Sequence, residues 1–372
     1  MSLSIAGMGW ITPLGRGVDQ VWDRLIRGDE AIPQTVAGGE GAKTYHSFLV
    51  PNDALQNLPP HPRLRRVSAI SRFAVAAGLD AIAQAKSESF KVDTEKLALV
   101  FAVSNGGVVY TKRFYHNIVE AGAQSASPLL FPETVFNAPA SHLAAILGVN
   151  GATYTVVGDG AVGILGIQMA AELLETGAAR HCLVVGAEEA DWVLCDAYHK
   201  WRLTRSSPPI EPFSDSARGT ILSEGAGAVL LGADGRVKID RVNSGGNFSH
   251  QRDATKVVQR ILHDLRDPNA CIVASANGTF IDDAEREAIQ NEASECIVYS
   301  PKAALGEGVG ASALWQIIVA ARALERKHLP PMLHAGNNSL LRFPADGDKL
   351  GPTAIVLSCG MNQQATGLRL LA

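Results

Sequence analysis

The chain of 372 residues is poor in cysteine, and the five it has are scattered. Cys182, Cys195, Cys271, Cys296 and Cys359 form no CxxC pair and stand at no metal-ligand spacing with histidine. An odd, dispersed set argues against a disulfide framework and for a reducing compartment. The ten histidines contain no HxxxH or HxH pair, so no metal site is expected. No apolar run reaches the roughly 18 residues of a membrane span. No basic segment leads into an apolar stretch at the start, so no signal peptide is expected. Excess charge is missing too: a net charge of -4 with 19% charged residues offers no general basic field to nucleic acid or a membrane surface. These absences describe a cytoplasmic globular protein with neither nucleic-acid nor membrane partners.

What the chain does have is apolar content, 47% of its residues, enough for a large core. Short apolar runs at 97–104, 153–157, 181–187, 225–232, 270–276, 295–300 and 354–360 read as strands buried on both faces. Helical patterns at 71–86, 162–176, 254–266, 282–291 and 311–326 alternate with them. The class is therefore α/β.

The stretches "TYTVVGDGAVGILGIQMAAELLETG" and "ECIVYSPKAALGEGVGASALWQIIVAARALERK" share one plan: strand, glycine-containing turn, and a helix apolar nearly all round. One such helix per half suggests a duplicated unit with central helices sandwiched between sheets. The spacing places the N-terminal half at 1–232 and the C-terminal half at 233–372, with the seam in 233–245. The first stretch raises a chemical question. A strand-to-helix turn is where many α/β enzymes hold a nucleophile against the positive helix terminus. Here the turn reads Gly158-Asp159-Gly160-Ala161, with no Ser, Cys or Thr.

Collinear blocks running nearly end to end resemble β-ketoacyl-acyl-carrier-protein synthases of the thiolase superfamily. They are "SIAGMGWITPLGRGVDQVWDRLIRGDEAI" (4–32), "ISRFAVAAGLDAIAQA" (70–85), "LGVNGATYTVV" (147–157), "HCLVVGAEEA" (181–190) and "PFSDSARGTILSEGAGAVLL" (212–231). "SANGTFIDDAERE" (275–287), "SPKAALGEGVGA" (300–311) and "SCGMNQQATGLRL" (358–370) continue the series. The resemblance implies a thiolase-like five-layered αβαβα fold of two pseudo-duplicated halves. Active members hold an acyl chain on a cysteine at the helix N-terminus, taken as a thioester from phosphopantetheine. Two histidines stabilise the enolate that attacks it.

Against that pattern, the family's cysteine falls on Gly160, its first histidine on Asn277 and its second on Glu307, while its lysine is kept as Lys302. The family's "GFGGTN" becomes "LSCGMN" (357–362). No catalytic residue of the family's type is left. Asp159 reads as a helix cap or first-turn acid. Glu307 reads as an ion-pair partner of Lys302, with acid–base chemistry as the alternative. Cys359 falls on the loop that lines the family's pocket and is the one thiol of interest.

Subunits of this superfamily that lost the cysteine resemble chain-length factors, the partner halves of type II polyketide and aryl polyene ketosynthases. The resemblance thus implies a non-catalytic subunit that pairs with an active, Cys-containing ketosynthase and shapes its acyl tunnel. Phe114, Tyr115 and His116 are the tunnel or interface candidates. No cofactor of its own is implied, only phosphopantetheine-linked acyl chains delivered by an acyl carrier protein. Arg63, Arg65, Arg66 and Arg72 offer a basic segment to such an acidic partner, or a solvated helix flank. Two alternatives stay open: an enzyme on the same fold with displaced catalytic residues, and a homodimeric ligand-binding or scaffold protein.

Overall fold

The computed structural model describes residues 3–38, 41–88, 90–215, 218–336 and 340–372. Ser216 and Ala217, within the 212–231 block, lie outside the described residues, as do Met1 and Ser2. Strands are β1 (Leu3–Thr12), β2 (Gly15–Arg16), β3 (Gln34–Ala37), β4 (Thr44–Ser47), β5 (Leu97–Val103), β6 (Thr153–Val157), β7 (His181–Glu188), β8 (Gly225–Gly232), β9 (Val237–Asn247), β10 (Ala270–Val273), β11 (Ile297–Tyr299), β12 (Thr353–Cys359) and β13 (Gln364–Leu371). Helices are α1 (Val18–Ile26), α2 (Ala69–Ser87), α3 (Val108–Ala121), α4 (Ala138–Leu147), α5 (Val162–Glu175), α6 (Trp192–Lys200), α7 (Ala254–Leu265), α8 (Phe280–Glu292), α9 (Lys302–Leu305) and α10 (Ser312–Arg326).

Ten strands follow one hydrogen-bonded path, β11-β10-β12-β13-β9-β1-β8-β7-β5-β6; β2 pairs with β1, and β3 and β4 form a separate two-stranded sheet. The two wings of the path meet where β1 pairs antiparallel with β9, Leu3 opposite Ile239 and Ile5 opposite Val237. The N-terminal wing places β5 parallel to β6 and β7, and β7 antiparallel to β8. The C-terminal wing repeats this, with β10 parallel to β11 and β12, and β12 antiparallel to β13. The repetition is the structural form of the internal echo.

Five layers result. Helices α2 and α4 cover the outer face of the N-terminal wing, α7 and α8 that of the C-terminal wing, and α5 and α10 lie between the wings. Every residue of α10 from Ser312 to Leu324 is buried, as a helix apolar all round requires. The expectation fails for half of α5, where Leu165, Gln168, Met169, Glu172 and Leu173 are not fully buried. Gln168 and Glu172 give that face a polar edge, which no core position would tolerate without partners.

The stretch 233–245, where the sequence places the seam, holds the β8–β9 turn and most of β9, which pairs with both β1 and β13. Its alternating burial over Val237–Asp240 is the period of a half-exposed strand, and the turn at 233–236 is all that joins β8 to β9.

Candidate functional site

The turn between β6 and α5 lies against the loop that follows β12. Gly160 carries no side chain, and a Cβ built there would stand 3.3 Å from the Gly360 Cα and no nearer than 3.8 Å to any other atom outside its chain neighbours. The Ser358 hydroxyl donates to the Gly160 carbonyl at 2.8 Å. Asp159 is more than a helix cap. Its Oδ1 accepts from the Ala161 N–H at 3.2 Å, and its Oδ2 accepts from the N–H groups of Asn362 and Gln363, both at 3.2 Å. A Cβ at Gly360 would fall 2.0 Å from that same Oδ2, so glycine is needed where the two halves approach here.

Asn277 and Glu307, the positions to which the resemblance assigns the family's histidines, also meet. The Asn277 amide donates to Glu307 Oε2 at 2.7 Å, and the Lys302 ammonium donates to the same oxygen at 2.6 Å. Glu307 Oε1 accepts from the Val309 N–H at 2.9 Å and the Ser312 hydroxyl at 2.8 Å. On its other side, the Asn277 carbonyl oxygen accepts from the Thr279 hydroxyl at 2.6 Å. Both carboxylate oxygens are thus doubly bonded within the protein. Burial alone would raise the Glu307 pKa, but the Lys302 charge and these hydrogen bonds hold it below the usual carboxylate range. A carboxylate so engaged has little capacity left to take or give a proton.

Gly160, Glu307 and Cys359 line one cavity of about 870 Å³, together with Asp159 and Met361. Asn277 and Lys302 stand behind Glu307 and do not line it. Among the described residues that line the cavity, none is histidine. All five cysteines are free and buried. Cys359 ends β12, with its N–H donated to the Ser275 hydroxyl at 2.8 Å. Burial, then the charges of Glu285 and Asp159, push its thiol well above the ordinary range. A thiol held protonated is a poor nucleophile. Among the described residues no group of three His, Cys, Asp or Glu stands close enough to hold a metal ion. No described helix is long and apolar enough to cross a membrane.

The opposite wall of the cavity was not foreseen from the sequence. Tyr198 at the end of α6, with Trp201 and Leu203 beyond it, lines the cavity with Asn105, Val309 and Leu165. The ring pair Tyr198–Trp201 stands 5.4 Å apart. The available signal was the aromatic spacing in "WVLCDAYHKW" (192–201).

Phe114, Tyr115 and His116, the tunnel or interface candidates, do not line this cavity. They lie on α3, a helix with no buried residue, outside the cavity. Tyr115 is 61% exposed, Val119 78% and Phe131 56%. Phe114 packs edge-on to Tyr115 and tilted against Phe131. Tyr154 and Val157 of β6 are exposed as well, and among the described residues β6 pairs only with β5, so it is an open sheet edge. Large apolar side chains on an uncovered strand edge mark an association surface. Arg63, Arg65, Arg66 and Arg72 are exposed, and none makes an ion pair among the described residues.

The fold, the two-half repeat and the elbow at Gly160 define a class that comparison identifies. The family described as Beta-ketoacyl synthase, N-terminal domain matches residues 2–234, and Beta-ketoacyl synthase, C-terminal domain matches 238–336. The chain belongs to the beta-ketoacyl synthase family, within the thiolase superfamily. It is similar to 3-oxoacyl-[acyl-carrier-protein] synthase 2 of Vibrio cholerae, 22% identical over 90% of this chain and 88% of that protein. The synthase 2 of Vibrio harveyi is 24% identical over 61% of this chain and 56% of its own length. A beta-ketoacyl synthase from Burkholderia phymatum shares the fold with a TM-score of 0.86 at 18% identity, covering 100% of this chain and 99% of its own. The ishigamide ketosynthase/chain length factor gives the same score, identity and coverage. A ketosynthase in complex with its chain length factor from Xenorhabdus doucetiae gives 0.84 at 19% identity, covering 100% and 98%.

Proposed function

We propose that this chain is the non-catalytic, chain-length-factor-like subunit of a heterodimeric ketosynthase. The observation that carries the reading is the state of the three positions where the family keeps its chemistry. Gly160 presents no nucleophile at the helix terminus, and Glu307, which reaches the cavity wall, is held by both Asn277 and Lys302. The scaffold is intact around a site with no thiolate and no imidazole.

The reaction would then belong to a partner subunit carrying cysteine and two histidines. The open edge of β6 and the apolar face of α3 and 129–136 supply the surface on which that partner would sit. A tunnel formed across this surface would be bounded by Phe114 and Tyr115 from outside the cavity of this chain. The acyl chain would arrive on the phosphopantetheine arm of a carrier protein, and the unpaired arginines at 63, 65, 66 and 72 suit an acidic one. The similarity to chain-length-factor complexes supports assignment to polyketide or aryl polyene assembly. Co-expression with a Cys-containing ketosynthase followed by size-exclusion and light scattering tests the reading. It requires a stable 1:1 heterodimer; a stable homodimer that ignores every such partner would instead favour a self-contained binding or scaffold protein.

A further inference from the structure

A second pocket lies at the other end of the N-terminal wing and shares no lining residue with the cavity at Gly160. It has a volume of about 620 Å³ and is built from the start of β7 (Arg180, His181), the β8–β9 turn (Ala233–Arg236) and the segment after α2 (Glu88, Phe90, Lys91), with Ala6 beneath. His181 lines it while only 5% exposed. Its Nδ1 is buried with no hydrogen-bond partner. A buried, unpaired ring nitrogen is unfavourable and asks for a partner that the protein does not provide.

The rim is charged. Arg236 is engaged with Glu88 at 3.2 Å. Lys91 and Arg180 make no ion pair or side-chain hydrogen bond among the described residues, and neither does Asp234. Three cations against two acids leave an excess of positive charge, with both free cations exposed at the mouth. Below them a largely polar lining carries one apolar strip: Phe90, packed edge-on to His181 with ring centroids 4.9 Å apart, and the two alanines. A bare oxyanion displaces only a few waters of about 30 Å³ each and would leave most of this volume empty.

We propose that this pocket binds a small molecule with an anionic head group, a phosphate or a carboxylate, and a flat apolar body. The head group sits among Lys91, Arg180 and the unpaired His181 ring nitrogen, and the body lies along Phe90. The inference does not depend on the ketosynthase reading, because the binding is a property of this chain whether or not a partner is attached.

The test is calorimetric titration of the full-length chain with inorganic phosphate, phenyl phosphate and benzoate. Phenyl phosphate or benzoate should bind saturably and about tenfold more tightly than inorganic phosphate, the gain expected for one good aromatic contact. Whichever binds more tightly identifies the head group. Exchanging Lys91 and Arg180 together for glutamine, both at exposed positions, should weaken binding by at least about tenfold, since each removes a charged hydrogen-bond donor. A bound anion should also move the His181 imidazole titration to higher pH, against a ring that faces Arg180, Asp93 and Asp234. Absence of saturable binding by all three probes, or equal binding by the K91Q/R180Q chain, would overturn the proposal.

Discussion

The Lys302 ammonium and Glu307 carboxylate meet at 2.6 Å with side chains only 3% and 2% exposed. Opposite charges buried this deeply are stable only when each has its partner. Glu307→Ala should therefore cost about 3–5 kcal/mol, because it strands the lysine. Replacing both residues together, Lys302→Met with Glu307→Leu, should cost less than the single change. Chemical denaturation of the parent and the two variants checks the order.

The same carboxylate sets a pH dependence. Its folded pKa lies below the unfolded value of about 4.3, so its contribution is fully present above that pH and is lost as pH falls through the folded pKa. Glu307→Gln should be less stable than the parent at neutral pH, and the gap should narrow as the solution is acidified below about pH 4. Melting curves from neutral to acid pH give the difference directly. A gap that widened in acid would contradict the assignment of the ion pair.

Gly160→Cys should fold, because the added Cβ meets only the Gly360 Cα closely, at 3.3 Å. It should not condense, since the Asn277–Glu307 pair still replaces two imidazoles. Product analysis with carrier-bound substrates checks this; turnover by G160C alone would mean that the missing thiol was the whole deficit.

For the association surface, Val157→Lys places a charge on the open edge of β6. Loss of the heterodimer by at least about tenfold in Kd is expected if this edge is central to the interface. Phe114→Ala and Tyr115→Ala should leave the heterodimer intact and lengthen its product, each opening space on the order of 100 Å³. An unchanged product from an intact complex would remove α3 from the tunnel.

Charge reversal at Arg63, Arg65 and Arg66 should weaken carrier-protein binding mainly through the association rate. The deficit should shrink as salt rises and screening takes over. Stopped-flow binding at two ionic strengths distinguishes this from loss of a packed contact.

Much of the architecture was legible because its signals are local. Buried strands such as β8 are continuous apolar runs, and α10 is apolar around its circumference. β9 was not among the strands read from the sequence, since it is no continuous apolar run: its half-exposed alternation gives way to Asn243, Ser244, Gly245 and Gly246. At the site, residue types showed that cysteine and both histidines were absent. They could not show that Asn277 bonds to Glu307 across 30 positions, or that Asp159 ties the α5 turn to Asn362 and Gln363 more than 200 positions away. Those contacts arise only when the two wings close on each other. The exposure of Phe114 and Tyr115 was hidden for the same reason: an aromatic pair reads alike in a core and on an association surface.

The central claim is that this chain carries no acyl group while its partner does. Intact-protein mass spectrometry of the co-purified complex, after incubation with acyl carrier protein, measures each subunit separately. The account predicts an acyl increment on the cysteine-bearing partner and an unmodified mass for this chain. A stoichiometric acyl adduct on this chain, at Cys359 or any other residue, would contradict it.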